Sequence, residues 1–465
     1  MILVSFCVFL VLMTLVGISA SKQNRKNNTD YILASRSVGP IATALSAVST
    51  CHSGFMFIGM IGFTYVAGIS AIWLIIAWLI GDIFAWVVVY PKLRNISATV
   101  NAITIAGFIT HSETKSFVRK LISIIVLVFL SVYAAAQLTA GSKALWIMLE
   151  WHNTLGIVVG AIIVVLYSFS GGIRASIWTD VVQSIIMFLS MLGLCSVALA
   201  KIGGFSSLFF ALHNIDPVLT ELIPQHNDFG FPLYFLAWIA FGLGVIGQPH
   251  IIARPMAIQS EDKIKKASYI YLIWYLVFSL GSIFVGLSAR VLLPELLSGD
   301  TELALPILAE QVLPSLFVGG ILAGIFSATI STADSQIIAC SSTITQDLFP
   351  SLKDNYFAIK LITVVVMFIA VMIALLGSQS VYQLVIIGWS VFAAVLGPLV
   401  LLRCVGAKLN ERKLLSMIVG PFIVIIFWNF YLNLSGAINE SLPGIMIAFI
   451  IYFIFSKFFS LKKVK

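Results

Sequence analysis

The sequence predicts an all-α membrane protein of about thirteen transmembrane helices, and three observations predict it. Of its 465 residues 60% are hydrophobic and only 10% are charged, which is more apolar surface than one water-soluble core can hide. Apolar runs long enough to cross about 30 Å of hydrocarbon recur along the whole chain. These runs do not alternate at period two in short segments, so they do not read as a β-barrel.

In chain order the spans fall at roughly 2–20, 40–64, 70–91, 118–147, 154–171, 179–200, 231–251, 268–291, 313–345, 357–376, 380–402, 414–435 and 442–459. The first run, Ile2 to Ala20, lacks a basic n-region and is followed by a basic loop, so it reads as a retained helix rather than a signal peptide. An odd number of spans puts the termini on opposite sides. With the N-terminus outside, all but Lys143, Lys201 and Arg290 of the 27 Lys and Arg lie on the cytoplasmic side of an inner membrane. Lys22, Arg25, Lys26 and Arg36 form one cluster, Lys263, Lys265 and Lys266 another, and the tail ends Lys462, Lys463, Lys465. Positively charged short loops resist translocation. The net charge of +8 is therefore a topology signal and implies no nucleic-acid partner. Cys7, Cys51, Cys195, Cys340 and Cys404 show neither a disulfide framework nor metal-ligand spacing.

The chain divides into a first helix and cytoplasmic loop (1–39), five spans (40–202), an external loop (203–230), five more spans (231–403), and two C-terminal helices with a short basic tail (404–465). The external loop holds Asp216, Glu221, His226 and Asp228 and no Lys or Arg. An odd repeat length forces spans seven to eleven to lie inverted relative to spans two to six, one way of building alternating access around a midplane site. The first helix of each set is interrupted, at "STCHSGF" (Ser49–Phe55) and at "GLGVIGQPH" (Gly242–His250). Glycine, proline and polar side chains there free backbone groups, which a membrane tolerates only where they line a cavity or bind something.

In the ninth span Ala328, Ser331 and Thr332 are spaced i, i+3, i+4 and share one helical face. Together with carbonyls freed at Ser49–His52 they offer an oxygen cage suited to sodium, a hard cation. The same hydroxyls have another use in membrane helices, bonding their own backbone or joining neighbouring helices. Ser331, Asp334 and Ser335 repeat the spacing, and with Asp180 they form a candidate second cation site. Alternatively Asp180 caps the cytoplasmic end of the sixth helix. Asp82 has no nameable partner. Phe55, Tyr133, Trp238 and Phe241 lie near the breaks, where aromatic walls and freed backbone donors suit a small zwitterion; packing and interfacial belts are the other use of such residues. No G-x-x-x-x-G-K-[ST] loop, no H-E-x-x-H and no long soluble segment are present, so the reading is a carrier or channel and not an enzyme.

"SIWTDVVQ", "GLGVIGQPHIIARPMAI" and "ATISTADSQIIACSSTITQDLF", with "DYILASRSVGP" and "NAITIAGFI", make the chain resemble the sodium/solute symporter family from about Asp30 to Phe349, most closely its sodium/proline symporters. The resemblance implies the leucine-transporter-like fold with an inverted five-helix repeat, sodium-driven import and alternating access. It implies a sodium site on backbone oxygens of Ser49, His52 and Ala328 and hydroxyls of Ser331 and Thr332, and a role for Asp180 in the cation pathway. It places Phe55, Tyr133, Phe241 and Val245 in the solute lining; Ser53, Gly54 and Gln248, beside the breaks, join them as candidates. The chain departs from the proline symporters at Cys51, where they carry an aspartate, at His52, where they carry methionine, and at Phe55, Phe241 and Val245. These departures leave open proton coupling through His52, a histidine lending only its carbonyl, and another solute such as a monocarboxylate or vitamin. The expected partners are sodium, proline or a similar small molecule, and the bilayer, with no cofactor and no obligate protein partner. A solute-binding membrane sensor is the alternative outside transport.

Overall fold

Long apolar runs fold as helices because the bilayer offers backbone polar groups no other partner, and the computed structural model, which describes residues 1–21, 28–111, 116–224 and 229–461, is helical nearly throughout. The helices that position the site are α1 (Ile2–Ser21), α2 (Pro40–Cys51), α3 (Gly54–Phe57), α4 (Gly59–Ala67), α5 (Ile72–Phe84), α6 (Tyr90–Thr99), α7 (Ser116–Leu149) and α8 (Asn153–Ile202). They are followed by α9 (Phe205–Ile215), α10 (Phe231–Leu243), α11 (Pro249–Ala257), α12 (Ile264–Leu292), α13 (Ser315–Thr343), α14 (Tyr356–Leu376) and α15 (Val381–Val391). Among the described residues eight helices are long and apolar enough to cross a membrane, and α10 and α11, bent by 55° at their junction, pass the same test as a pair. Shorter apolar helices at Ile2–Gly17, Pro40–Cys51, Asn153–Leu166 and Ser441–Lys457 account for the other expected spans.

Exposure follows the bilayer. On α14, Leu361, Val364, Val365, Phe368 and Met372 are exposed while Val366, Met367 and Ala370 are buried. That is a lipid-facing stripe beside a packed one. Helix α13 is the axis of the molecule, buried along almost its whole length from Val318 to Thr343, with α7, α8, α1 and α14 packed around it. The first run is part of this core: Phe6 of α1 sets its ring edge against Phe326 of α13 at 4.8 Å.

Three details differ from the sequence reading. The fifth and sixth spans are not separated by a loop; one helical stretch, Asn153–Ile202, is divided by Gly172 at φ +58°. A side chain there would be strained and would lie 2.5 Å from Tyr31, so only glycine turns the chain. The acidic connection after the sixth span holds α9, which buries Leu208 and Leu212. The third span runs on through a π-helical turn at Ala85–Val89 into α6. Lys22, Arg25, Lys26, His226, Asp228, Lys462, Lys463 and Lys465 lie outside the described residues. Arg36 lies within them, donating to the carbonyls of Ser97 (2.9 Å), Ala102 (2.7 Å) and Met256 (2.9 Å). Val38, just before α2, pairs through its backbone with Ala257 and Gln259, so the start of the first repeat is tied to the end of the second broken helix.

Candidate functional site

The first break forms because His52 (ψ 69°) and Ser53 (ψ −175°) leave helical geometry between α2 and α3. The Val48 carbonyl still takes the His52 amide at 2.9 Å. Among the described residues, no backbone N–H reaches the carbonyls of Ser49, Cys51 or His52. The second break is a tight turn at Gly244–Gly247 followed by Gln248 in extended geometry, with Pro249 opening α11.

Helix α13 meets the first break through its hydroxyls. Ser49 Oγ donates to Ser331 Oγ at 2.9 Å, and Thr332 Oγ1 donates to the Thr50 carbonyl at 3.0 Å. Ala328 lies one turn before Thr332, fully buried. Ser49 is therefore in contact with Ser331, and Thr332 is joined to the break through Thr50, with His52 closing α2. The Thr50 carbonyl joins them, and Thr50 Oγ1 lies 3.4 Å from Ser335 Oγ.

The His52 imidazole points away from this cluster. Its Nδ1 pairs with the Val48 carbonyl at 2.9 Å, and its ring sits in a box of Tyr271, Trp274, Tyr275 and Phe278 on α12, with centroids 4.7–6.4 Å away.

The second candidate cation cluster is arranged differently from the sequence expectation. Asp180 Oδ2 accepts from Ser46 Oγ (2.6 Å) and from Arg254 Nη2 (3.1 Å), and Arg254 also donates to Ser335, to Ser46 Oγ (3.1 Å) and to the His250 carbonyl (2.7 Å). A buried guanidinium thus sits where a second cation would go. Asp334 lies at the edge of this set: its Oδ1 accepts from Ser168 on α8, and it shares Ser176 with Arg254. A cavity of about 30 Å³, lined by Thr104, Pro249, Arg254, Ser335 and Thr343, reaches this guanidinium from the end of the molecule that carries Arg36.

The solute candidates form one continuous aromatic and polar wall. Ser53 Oγ lies 3.5 Å from Tyr133 Oη, and the Tyr133 ring stands edge-on to His250 at 5.5 Å, so Tyr133 bridges the two breaks. The Phe55 and Phe241 rings both meet Trp78, at 5.6 and 5.5 Å. Phe241 packs on Trp389, whose Nε1 donates to the Phe241 carbonyl at 2.7 Å. Gln248 Nε2 reaches the Gly244 and Trp389 carbonyls at 3.4 Å, its Oε1 is without a partner, and Val245 is buried alongside. A Cβ at Gly54 would lie 2.6 Å from Thr329 and 2.9 Å from Ala140, so glycine is required for α3 to approach α7 and α13.

Several participants escaped the sequence reading. Gln137 accepts the Gly54 amide at 2.9 Å; an isolated amide in the apolar run of α7 was its signal. Trp78, Trp389 and Tyr382 complete the wall, the last with its ring 5.7 Å from Phe55. At the end opposite Arg36, Lys143 of α7 binds Asp300 and Glu302 at 2.6 Å each, and Glu302 accepts from Ser380 Oγ and the amides of Val381 and Tyr382 at the start of α15. Both ends of the wall are therefore closed by side-chain contacts.

A profile of the sodium:solute symporter family matches residues 31–420. The chain belongs to this family. It is 32% identical to the high-affinity proline transporter PutP of Bacillus subtilis over 93% of each chain. It is 31% identical to the sodium/proline symporter of Escherichia coli over 98% of its own length and 92% of the other. A solved structure of a Na+-coupled sialic acid symporter, in a substrate-bound outward-open state, superposes with a TM-score of 0.81 at 18% identity, covering 97% of this chain and 96% of that one. This likeness shows the fold, the leucine-transporter-like arrangement. Membership and fold together make the chain a multi-pass membrane protein of a transporter family.

Proposed function

We propose that the chain imports proline, or a closely related amino acid, coupled to inward movement of sodium through alternating access. The observation that carries this reading is the clasp between the broken first helix of one repeat and α13, Ser49 to Ser331 and Thr332 to the Thr50 carbonyl. Freed carbonyls and hydroxyls converge there, with the Asp180 carboxyl beside Ser331, a donor set for a hard monovalent cation. Sodium would bind backbone oxygens of Ser49, His52 and Ala328 and the hydroxyls of Ser331 and Thr332. The solute would lie against Ser53, Gly54, Phe55, Tyr133, Phe241, Val245 and Gln248.

The roles of the other buried charges follow from their partners. Arg254 already neutralises Asp180, so one sodium per cycle is the expected stoichiometry. The Asp180–Arg254–Ser335 contacts then close the path toward the side bearing Arg36, and Lys143–Glu302 closes the other. The excess of Lys and Arg on the Arg36 side supports an external N-terminus and a cytoplasmic C-terminus in the inner membrane. Proline enters because the relatives so named align over nearly the whole chain.

Purified protein in liposomes, given labelled proline and an imposed sodium gradient, should accumulate proline above the equilibrated level and lose that accumulation when the gradient is collapsed. Uptake indifferent to the gradient would refute sodium drive. Accumulation of other solutes but not proline would refute the substrate.

A further inference from the structure

Asp82 on α5 takes no part in the sites above, yet it is completely buried. Its Oδ2 accepts a hydrogen bond from Tyr271 Oη at 3.1 Å, and its Oδ1 has no partner. Among the described residues no Lys, Arg or His forms an ion pair with it. The titratable groups that face it are one thiol and three phenols, none of which can carry a positive charge: Cys51 of α2, Tyr90 of α6, and Tyr271 and Tyr275 of α12. Tyr275 is committed to the Ile75 carbonyl at 2.9 Å, and Tyr90 Oη has no partner. An ionised carboxylate in hydrocarbon must face a cavity, a cation or a partner, and Asp82 has only one phenol. One carboxylate, two phenols and a thiol are too few oxygens for a sodium shell, but they suit a proton, which needs a single acceptor.

We propose that Asp82 is a proton-binding site: its carboxyl is protonated in this closed arrangement, and the proton exchanges when the helices around it part. The placement links the proton to transport. Gly81, the residue before Asp82, leaves no room for a Cβ because its backbone lies directly on that of Gly242 in α10, just before the second break. Trp78, one turn earlier, is the ring shared by Phe55 and Phe241. Tyr271, the donor to Asp82, flanks the aromatic box of His52. Proton and solute therefore act on the same elements, and by linkage each changes the affinity for the other. This consequence rests on the proposed symport; the protonation does not.

The test uses full-length protein reconstituted in lipid. At neutral pH the infrared difference between the wild type and Asp82→Asn should contain the C=O stretch of a protonated carboxyl, and its absence would overturn the proposal whether or not the protein transports. At a fixed sodium gradient, wild-type proline uptake should fall at least about fivefold between about pH 6 and about pH 9, while Asp82→Asn, which mimics the protonated form, changes less than about twofold. Asp82→Glu, a variant that keeps a titratable group, should retain a pH transition at a shifted midpoint. An Asp82→Asn profile that follows the wild type, or an Asp82→Glu midpoint identical to it, overturns the link to transport. If the wild type moves no proline at any pH, the symport reading fails while the infrared band still reports on Asp82.

Discussion

Replacing Ser331 by Ala and Thr332 by Val removes two oxygens from the clasp while keeping its volume nearly unchanged. In the structure each hydroxyl makes one defined bond across helices, 2.9 Å to Ser49 and 3.0 Å to the Thr50 carbonyl. As bonds between neutral groups inside a membrane protein these contribute about 0.6 kcal/mol each, so α13 should stay seated and the variant should reach the membrane. As ligands to a desolvated cation, the same oxygens are worth about 1.5–3 kcal/mol apiece. At about 1.4 kcal/mol per decade, either single substitution should raise the half-saturating sodium concentration about 10- to 100-fold. The double variant should fall short of the product, because both oxygens serve one ion. Sodium titration of labelled proline uptake in liposomes measures this directly. Ser341→Ala is the control, since that hydroxyl bonds the Ile337 carbonyl and faces Thr363 of α14; its sodium dependence should move less than about twofold. A double variant with wild-type sodium half-saturation would refute the cation site.

His52→Gln should leave the pH profile of uptake intact, because the imidazole is enclosed by α12 aromatics and its Nδ1 is paired with the Val48 carbonyl; a profile flattened by this change alone would return the proton role to His52. Arg254→Met strands the buried Asp180 and should destabilise the protein by about 3–5 kcal/mol, read as a lower unfolding temperature in detergent, with Asp180→Asn in the same chain recovering most of it. Lys143→Met leaves Glu302 without its cation and should loosen its hold on the start of α15, seen as severalfold faster thiol labelling of a cysteine placed at Phe63, which stacks on Tyr382. Gly54→Ala drives a methyl to within 2.6 Å of Thr329 and should cost about 1–3 kcal/mol of stability, with proline half-saturation raised and sodium half-saturation changed less.

What the sequence revealed and what it hid follows from sequence distance. The breaks at Ser49–Phe55 and Gly242–His250 were legible because glycine, proline and polar residues inside apolar runs violate the local rule for a membrane helix. The face of Ala328, Ser331 and Thr332 was legible because helical spacing fixes it. Partners brought from remote spans were not. Arg254 meets Asp180 across 74 residues and Tyr271 meets Asp82 across 189, and no local pattern announces either pairing. Trp78 and Trp389 lie in mostly apolar stretches where a tryptophan looks like core. At Gly172 the glycine was visible, but the loop expected around it proved to be a single turn inside one helical stretch.

The geometry of the first break also explains why ion and solute should travel together. Ser49 and Thr50, on the α2 side, touch Ser331 and Thr332, whereas Ser53 and Gly54, on the α3 side, touch Tyr133 and Gln137. Only Cys51 and His52 separate the last of one set from the first of the other, and both are buried. So short a segment, packed on α7, α12 and α13, cannot shift toward one ligand without shifting relative to the other. A cation that draws the Ser49 and His52 carbonyls toward α13 therefore also sets where Ser53 and Gly54 lie against the aromatic wall. Each ligand biases the equilibrium only by its differential affinity for the two arrangements of this segment, and a common segment makes that bias mutual.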